Sequence, residues 1–208
     1  MNRLLDLLVA GLALLAATPV LAICALAIKL DSRGPVLYRQ RRVGRDGVPF
    51  ELIKLRTMVV DAEHSGAGLY IEDGDTRITR VGRLLRRLSL DELPNLLNVA
   101  RGELAVVGPR PTVQVQVDRY TPRQRRRLEV KPGITGWAQV NGRTSLSWPE
   151  RIELDVWYVD NRSLALDLRI LARTARMLVT GHGLYSSDLT QGWDEAPPDG
   201  DPPPLARD

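Results

Sequence analysis

The chain has 208 residues, 44% of them apolar, enough for one sizeable domain with an appendage but not for two independent cores. Residues 186–208 hold six acids and one arginine, so the net charge of +4 leaves +9 on residues 1–185, an excess that suits a polyanionic partner such as nucleic acid, an anionic membrane surface or a phosphorylated substrate. The single cysteine, Cys24, excludes an intrachain disulfide, and one Phe with four Trp argues against the stacking platforms that hold single-stranded nucleic acid.

Leu7 to Ile28 is a run of 22 residues without a charge, about 33 Å as a helix, which matches the thickness of a bilayer core. Thr18-Pro19 lies near its middle, where proline removes a backbone donor and clashes with the carbonyl four residues earlier. A bend is expected there, with the Thr18 hydroxyl bonding back to a freed carbonyl. Two half-helices of about 11 residues reach only about 16 Å each, which predicts a re-entrant hairpin entering one leaflet. Arg3 precedes the run and Lys29, Arg33, Arg39, Arg41, Arg42 and Arg45 follow it, so both ends favour the cytoplasmic side. A straight spanning helix is the alternative. A cleaved signal peptide is a third reading, opposed by the basic stretch directly after Ala25-Leu26-Ala27.

Val36–Gln40 and Phe50–Leu55 read as extended segments around a Gly-Arg-Asp-Gly turn at 44–47, and residues 61–76 read as a mobile surface loop. Val81, Leu84, Leu85 and Leu88 recur at helical spacing among Arg80, Arg83, Arg86 and Arg87, a pattern that could float on anionic headgroups. Further basic stripes occur at Arg123, Arg125, Arg126 and Arg127, and at Arg169, Arg173 and Arg176. Singly these are solvated faces; beside a membrane segment they favour interfacial helices. Ser147-Trp148-Pro149-Glu150 is a capping box opening a helix with Ile152, Val156, Trp157 and Tyr158, whose aromatic rings suit either core or headgroup level. The last helix spans about Leu164 to Thr180, with an apolar stripe of Leu164, Leu168, Leu171, Ala175 and Leu178, and stops at Gly181. The acidic, proline-rich tail 186–208 is expected to be disordered.

The chemistry-bearing stretch is residues 86–111, where the acid pair Asp91-Glu92 is set between arginines on both sides. Arg87 and Arg110 can neutralise phosphoryl oxygens with forked donors, while a carboxylate beside them can attack phosphorus or hold a divalent cation. Ser89-Leu90-Asp91-Glu92 also fits a plain capping box with Ser89, or Asp91, as the cap. Lys54 and Arg56 share a face if their segment is extended. Gly108-Pro109-Arg110-Pro111 holds an arginine in a stiff turn. Residues 131–143 combine glycines that permit close backbone approach with Thr135, Gln139, Asn141 and Arg143 as polar contacts.

The broken apolar segment, Lys-Leu-Arg-Thr-Met at 54–58, Leu-Ser-Leu-Asp-Glu-Leu at 88–93, Val-Gly-Pro-Arg-Pro at 107–111 and Lys-Pro-Gly-Ile-Thr-Gly-Trp-Ala-Gln-Val-Asn-Gly-Arg at 131–143, in this order, resemble the bacterial sugar transferases, more narrowly the small monotopic phosphoglycosyl transferases. The resemblance covers residues 1 to about 185, with Thr18 where many members have Ser. It implies transfer of a sugar 1-phosphate from a UDP-sugar to undecaprenyl phosphate, releasing UMP, at the cytosolic face of the cytoplasmic membrane, as the first membrane step of a polysaccharide or glycoconjugate pathway. It also implies Asp91 as the nucleophile of a covalent phosphosugar intermediate, Glu92 as metal ligand or electrostatic partner, Mg²⁺ as cofactor, and Lys54, Arg56, Arg87 and Arg110 at the phosphates. The expected fold is a helix-rich α/β domain, not a Rossmann fold, divided into a re-entrant helix (1–30), a catalytic domain (31–185) and the tail. Protein partners would be a second copy or pathway glycosyltransferases; a single apolar segment resembles enzymes that often use N-acetylated or deoxyamino sugars, with glucose and galactose as the alternatives. The competing readings are a membrane-tethered nucleic-acid-binding protein and a catalytically silent membrane scaffold.

Overall fold

The structure is a computed structural model and describes residues 3–64, 74–142 and 146–180. The first element is a 29-residue helix, α1 (Arg3–Asp31), long and apolar enough to cross a membrane and helical through Pro19. The sequence predicts two half-helices here; the secondary structure is continuous. The Thr18 hydroxyl donates back into the helix as expected, to the carbonyl of Leu14 at 2.8 Å.

One stripe of α1, comprising Asp6, Ala10, Ala17, Cys24 and Ile28, is buried, while Leu4, Leu8, Leu12, Leu15, Ile23, Leu26 and Leu30 on its other faces are exposed. Both ends are held by the same body. Arg3 donates to the carbonyls of Val99 and Ala100, and the Asp6 carboxylate accepts the Val106 N–H at 3.0 Å. At the far end Cys24 and Ile28 pack with Leu55 and Leu85, and Asp31 accepts the Val81 N–H at 2.9 Å.

After α1 comes an antiparallel hairpin, β1 (Leu37–Val43) and β2 (Pro49–Leu55), closed by a turn in which Asp46 is left-handed with φ 56°. The ladder pairs Tyr38 with Lys54, Gln40 with Leu52 and Arg42 with Phe50, so these six side chains share one face. The short helices α2 (Arg80–Arg87) and α3 (Asn95–Arg101) flank a single 3₁₀ turn, Leu90–Glu92. Next, β3 (Ala105–Val107) runs parallel to β4 (Gly133–Thr135), with α4 (Gln114–Val117) and α5 (Pro122–Arg125) in the connection. The chain continues through α6 (Trp137–Val140), α7 (Trp148–Asn161) and α8 (Leu164–Thr180). Two separate two-stranded sheets among many helices make this a helix-rich α/β fold, with no larger sheet among the described residues.

The main core joins Ala10 of α1 to Leu52, Leu96, Val99, Leu104, Val106, Val107, Trp137, Tyr158 and Ile170. Each fully buried large aliphatic contributes about 1.5–3 kcal/mol, so α1 is an integral part of this body. Backbones cross so closely at residues 108, 133 and 136 that a Cβ on Gly133 would meet the Gly108 nitrogen at 2.1 Å and one on Gly136 the Gly108 oxygen at 2.1 Å. The glycines of the 131–143 motif thus admit another stretch of this chain, the turn that carries Arg110.

The packing assigns faces and partners to three of the sequence patterns. The basic stripe at 123–127 is largely paired within the fold: Arg123 pairs with Glu153, Arg126 with Asp160 and Glu129, and Arg127 is buried against Asp155 at 2.6 Å, while Arg125 is exposed. Here the acids of α7 supply the anions, which periodicity within one segment could not show. In α8 the apolar stripe is divided: Leu164, Leu168 and Leu178 are more than half exposed, Leu171 packs against the core, and Asp167 and Ile170 are buried in it. In α2, Leu85 packs against α1 whereas Leu84 and Leu88 are about half exposed. The rings of Trp148 and Tyr158 belong to the core, and Glu150 reaches back to the Ser147 N–H at 2.7 Å as the capping box requires. The tail, Gly181 and residues 65–73 of the loop lie outside the described residues.

Candidate active site

Asp91 and Glu92 sit on the 3₁₀ turn that separates α2 from α3. The capping-box reading of this stretch fails: Ser89 is left-handed, with φ 53°, and its side chain makes no cap bond. A non-glycine residue held there costs about 1–3 kcal/mol, of the kind found at functional sites. The sharp turn aims the two carboxylates at different neighbours.

Glu92 is locked. Its Oε1 accepts Lys54 Nζ at 2.9 Å and Arg110 Nη2 at 2.7 Å, and its side chain is only 19% exposed. Burial opposes its charge, but Arg110 and Lys54 together outweigh burial and hold the Glu92 carboxyl well below the usual carboxylate range. Asp91 accepts no hydrogen bond among the described residues. Burial first, and then the neighbouring Glu92 charge, push its pKa up, against the pull of Lys54, Arg86 and Arg110. The dyad is therefore divided between one anchored anion and one unbonded carboxylate of raised basicity. Lys54 is pushed down by burial, with Glu92 opposing; Arg110 is pushed up, chiefly by Glu92.

The cleft beside the dyad is lined by Arg42, Lys54, Glu92, Asn95 and Arg110, with Gly133 and Ile134 on its floor. Arg110 is presented by the turn after β3, whose backbone is held by Arg127: Nη2 of Arg127 donates to the Arg110 carbonyl at 2.8 Å. Lys54 and Arg110 thus stand where the sequence places them. Arg56 does not share their site. It is 5% exposed and spends its guanidinium on the carbonyls of Ser32 and Arg33 and on the Ser32 hydroxyl, fixing the end of α1. Arg87 is exposed; its neighbour Arg86 instead turns toward Asp91, with Nε donating to the Thr57 hydroxyl at 2.8 Å. Helix phase, which a run of two arginines leaves open, decides between them.

The polar residues of the 131–143 segment are engaged within the fold. Thr135 shares a 2.7 Å hydrogen bond with Thr174, and Asn141 accepts from Arg173 at 2.7 Å while donating to the Trp137 carbonyl. The Gln139 amide is buried without a hydrogen-bond partner, and Arg143 lies outside the described residues. Sequence reasoning passed over Arg42 and Asn95 as site residues; the Q-x-R alternation of β1 is the signal that could have found the first.

Among the described residues no three His, Cys, Asp or Glu side chains cluster to cage a metal ion. The donor set does fit Mg²⁺ in its other habit, one carboxylate completed by substrate phosphates and water: Asp91 offers an unbonded carboxylate, whereas the bonded oxygen of Glu92 faces two cations.

A carboxylate pair beside Lys54 and Arg110, in a body that includes a helix long and apolar enough to cross a membrane, has the charge layout of a site for phosphorylated groups. The chain belongs to the bacterial sugar transferases, whose family model matches residues 1–181. It is 47% identical over 189 residues to an uncharacterized sugar transferase, EpsL, of Bacillus subtilis, covering 90% of this chain and 92% of that protein. It is 43% identical to a UDP-glucose:undecaprenyl-phosphate glucose-1-phosphate transferase of Caulobacter vibrioides, covering 88% of this chain and 72% of that one. An Aeromonas hydrophila UDP-N-acetylgalactosamine-undecaprenyl-phosphate N-acetylgalactosaminephosphotransferase is 41% identical, over 88% of this chain and 44% of its own length. The protein is accordingly a transferase associated with the membrane.

Proposed function

We propose that this chain transfers a sugar 1-phosphate from a UDP-sugar to undecaprenyl phosphate, releasing UMP, in two displacements through Asp91. In the first, an Asp91 carboxylate oxygen attacks the sugar-bearing phosphorus of the donor. The bond from that phosphorus to the bridging oxygen breaks, and UMP leaves with the bridging oxygen. In the second, a phosphate oxygen of the lipid attacks the same phosphorus and expels the carboxylate, leaving the polyprenyl diphosphate sugar. The observation that carries this reading is the division of the dyad: Asp91 has no hydrogen bond to surrender, whereas Glu92 is tied down between Lys54 and Arg110. Raised basicity makes Asp91 a stronger nucleophile once ionised, and the two cations stand where charge develops on the transferring group. Asp91 would hold Mg²⁺ together with the donor diphosphate, and the charge neutralisation so supplied would ease attack by an anion.

The contacts of Arg3 and Asp6 at one end of α1, and of Ile28 and Asp31 at the other, support a monotopic helix that enters and leaves on the cytosolic face. A spanning helix would have to break one set. The exposed leucines of α1, α2 and α8 would then meet lipid. Relatives of near-equal identity act on different sugars, so the donor has to be found by assay. The test is UMP release from a panel of UDP-sugars by the full chain in detergent with Mg²⁺ and undecaprenyl phosphate. Lipid-dependent release that disappears in Asp91→Asn is expected. Release untouched by Asp91→Asn removes the covalent step, and silence across the panel removes the reaction.

A further inference from the structure

Arg42 is a partly buried cation whose placement the fold alone does not account for. Among the described residues its guanidinium makes no ion pair with a carboxylate. Nε and Nη2 donate to the Gln40 side-chain oxygen, Nη1 makes a long 3.4 Å contact with the Pro111 carbonyl, and of the charges acting on it the like-charged Arg110 outweighs Glu92. Burial, then Arg110, bring its pKa down to about 10, against a weaker upward pull from Glu92. Taking a cation out of water beside another cation is unfavourable unless an anion joins them. The lining of the cleft makes the deficit plain: Arg42, Lys54 and Arg110 share one anchored anion, Glu92, the next acid being its chain neighbour Asp91.

Arg42 is also aimed. Gln40, two residues earlier on the same face of β1, accepts from Arg42 and donates its amide N–H to Glu63 at 2.9 Å, and Glu63 further accepts from the Tyr38 hydroxyl. A carboxylate thus orients an amide that orients the guanidinium, leaving a rotamer-rich side chain little freedom to lose when a ligand arrives. Position separates Arg42 from the lipid side. Lys54 stands opposite Tyr38 and Arg42 opposite Phe50, about 13 Å further along the ladder at about 3.3 Å per residue. The Lys54 end of β2 finishes at Leu55, which packs on Cys24 and Ile28 of the membrane helix.

We propose that Arg42 binds the nucleotide-side phosphate of the donor diphosphate, with Gln40 and Glu63 as positioning residues. This rests on the UDP-sugar reading above and names which phosphate the additional cation serves. A guanidinium forked onto that phosphate stabilises UMP as it departs, and Lys54 and Arg110 are left to the transferring phosphate.

The test is calorimetric binding of UDP, UMP and inorganic pyrophosphate to the full chain in detergent, for the native protein, Arg42→Met, Arg42→Lys and Gln40→Leu, with thermal unfolding of each. Loss of a charged hydrogen-bonding contact should weaken UDP and UMP about 10- to 100-fold in Arg42→Met. Arg42→Lys should recover part of this and Gln40→Leu lose a smaller part, with unfolding temperatures held. In turnover, KM for the sugar nucleotide should rise while KM for undecaprenyl phosphate stays put. Native binding of UDP that Arg42→Met and Arg42→Lys leave unchanged overturns the assignment and spares the transferase reading. An increase confined to the KM for undecaprenyl phosphate overturns it too. Pyrophosphate bound in an Arg42-dependent way without any affinity for UDP or UMP keeps the phosphate grip and sinks the uridine donor, whereas no binding of any probe sinks both.

Discussion

The buried pair Arg127–Asp155 offers a stringent check on the physics that holds Arg110 in place. Both side chains are 3% exposed and 2.6 Å apart, and Arg127 also donates to the Arg110 carbonyl and the Tyr120 hydroxyl. Arg127→Met leaves an uncompensated carboxylate in the core, which costs about 3–5 kcal/mol. At about 2–4 °C per kcal/mol for a chain of this size, Tm should fall by about 6–20 °C. The double variant Arg127→Met/Asp155→Leu removes both charges and should return to within about 1 kcal/mol of the native protein. Burial already pushes the Asp155 carboxyl up to about 6, against the pull of Arg127. Without Arg127 it rises further, so the folded variant retains a proton that the unfolded chain has released. A raised carboxylate pKa gives stability that is present at low pH and lost as pH climbs through the folded value. The deficit of Arg127→Met relative to the native protein should therefore be greatest above pH 7 and shrink by about 1.4 kcal/mol per pH unit toward pH 6. Thermal unfolding of the three proteins in detergent between pH 5.5 and 8 measures all of this. A deficit below about 1 kcal/mol, a deficit independent of pH, or a double variant as weak as the single one would refute the account.

Glu92→Gln removes a charge that raises the pKa of both Asp91 and Lys54, so the acid and basic limbs of the kcat/KM profile for UMP release should both move to lower pH; a fixed acid limb would mean that Asp91 ionisation does not set it. Gly133→Ala places a methyl 2.1 Å from the Gly108 nitrogen and should cost about 1–3 kcal/mol in thermal unfolding; unaltered stability would show that β3 and β4 can part freely. An amino-terminal tag should resist protease added outside intact spheroplasts, since Arg3 and Asp6 are bonded to the same body as Asp91; digestion there would establish a spanning helix.

Much of the site was legible in the sequence because its determinants are local. The 22-residue uncharged run, the acid pair between arginines and the hairpin turn at 44–47 each follow from residue type and spacing alone. The order of the motifs led to the family, and the assignments of Asp91, Glu92, Lys54 and Arg110 follow the same motifs. Arg56 and Arg87 went astray for different reasons. A strand alternation gives the face of Arg56 but not the competing carbonyls at Ser32 and Arg33, 24 and 23 residues away, that capture its guanidinium. Consecutive arginines at 86 and 87 differ by one helical step, and only the packing of Leu85 on Cys24 and Ile28 fixes which of them turns toward Asp91. The same limit applies to the stripe at 123–127, where Arg123 and Arg126 meet acids some 30 residues on, and to α8, where Leu164, Leu168 and Leu178 face outward while Ile170 and Asp167 fill the core side. Composition and periodicity specify which groups are present and how they repeat along one element. Which charge meets which, and therefore which carboxylate is anchored and which is left unbonded, depends on contacts between segments distant in the chain, and the tertiary fold alone decides it.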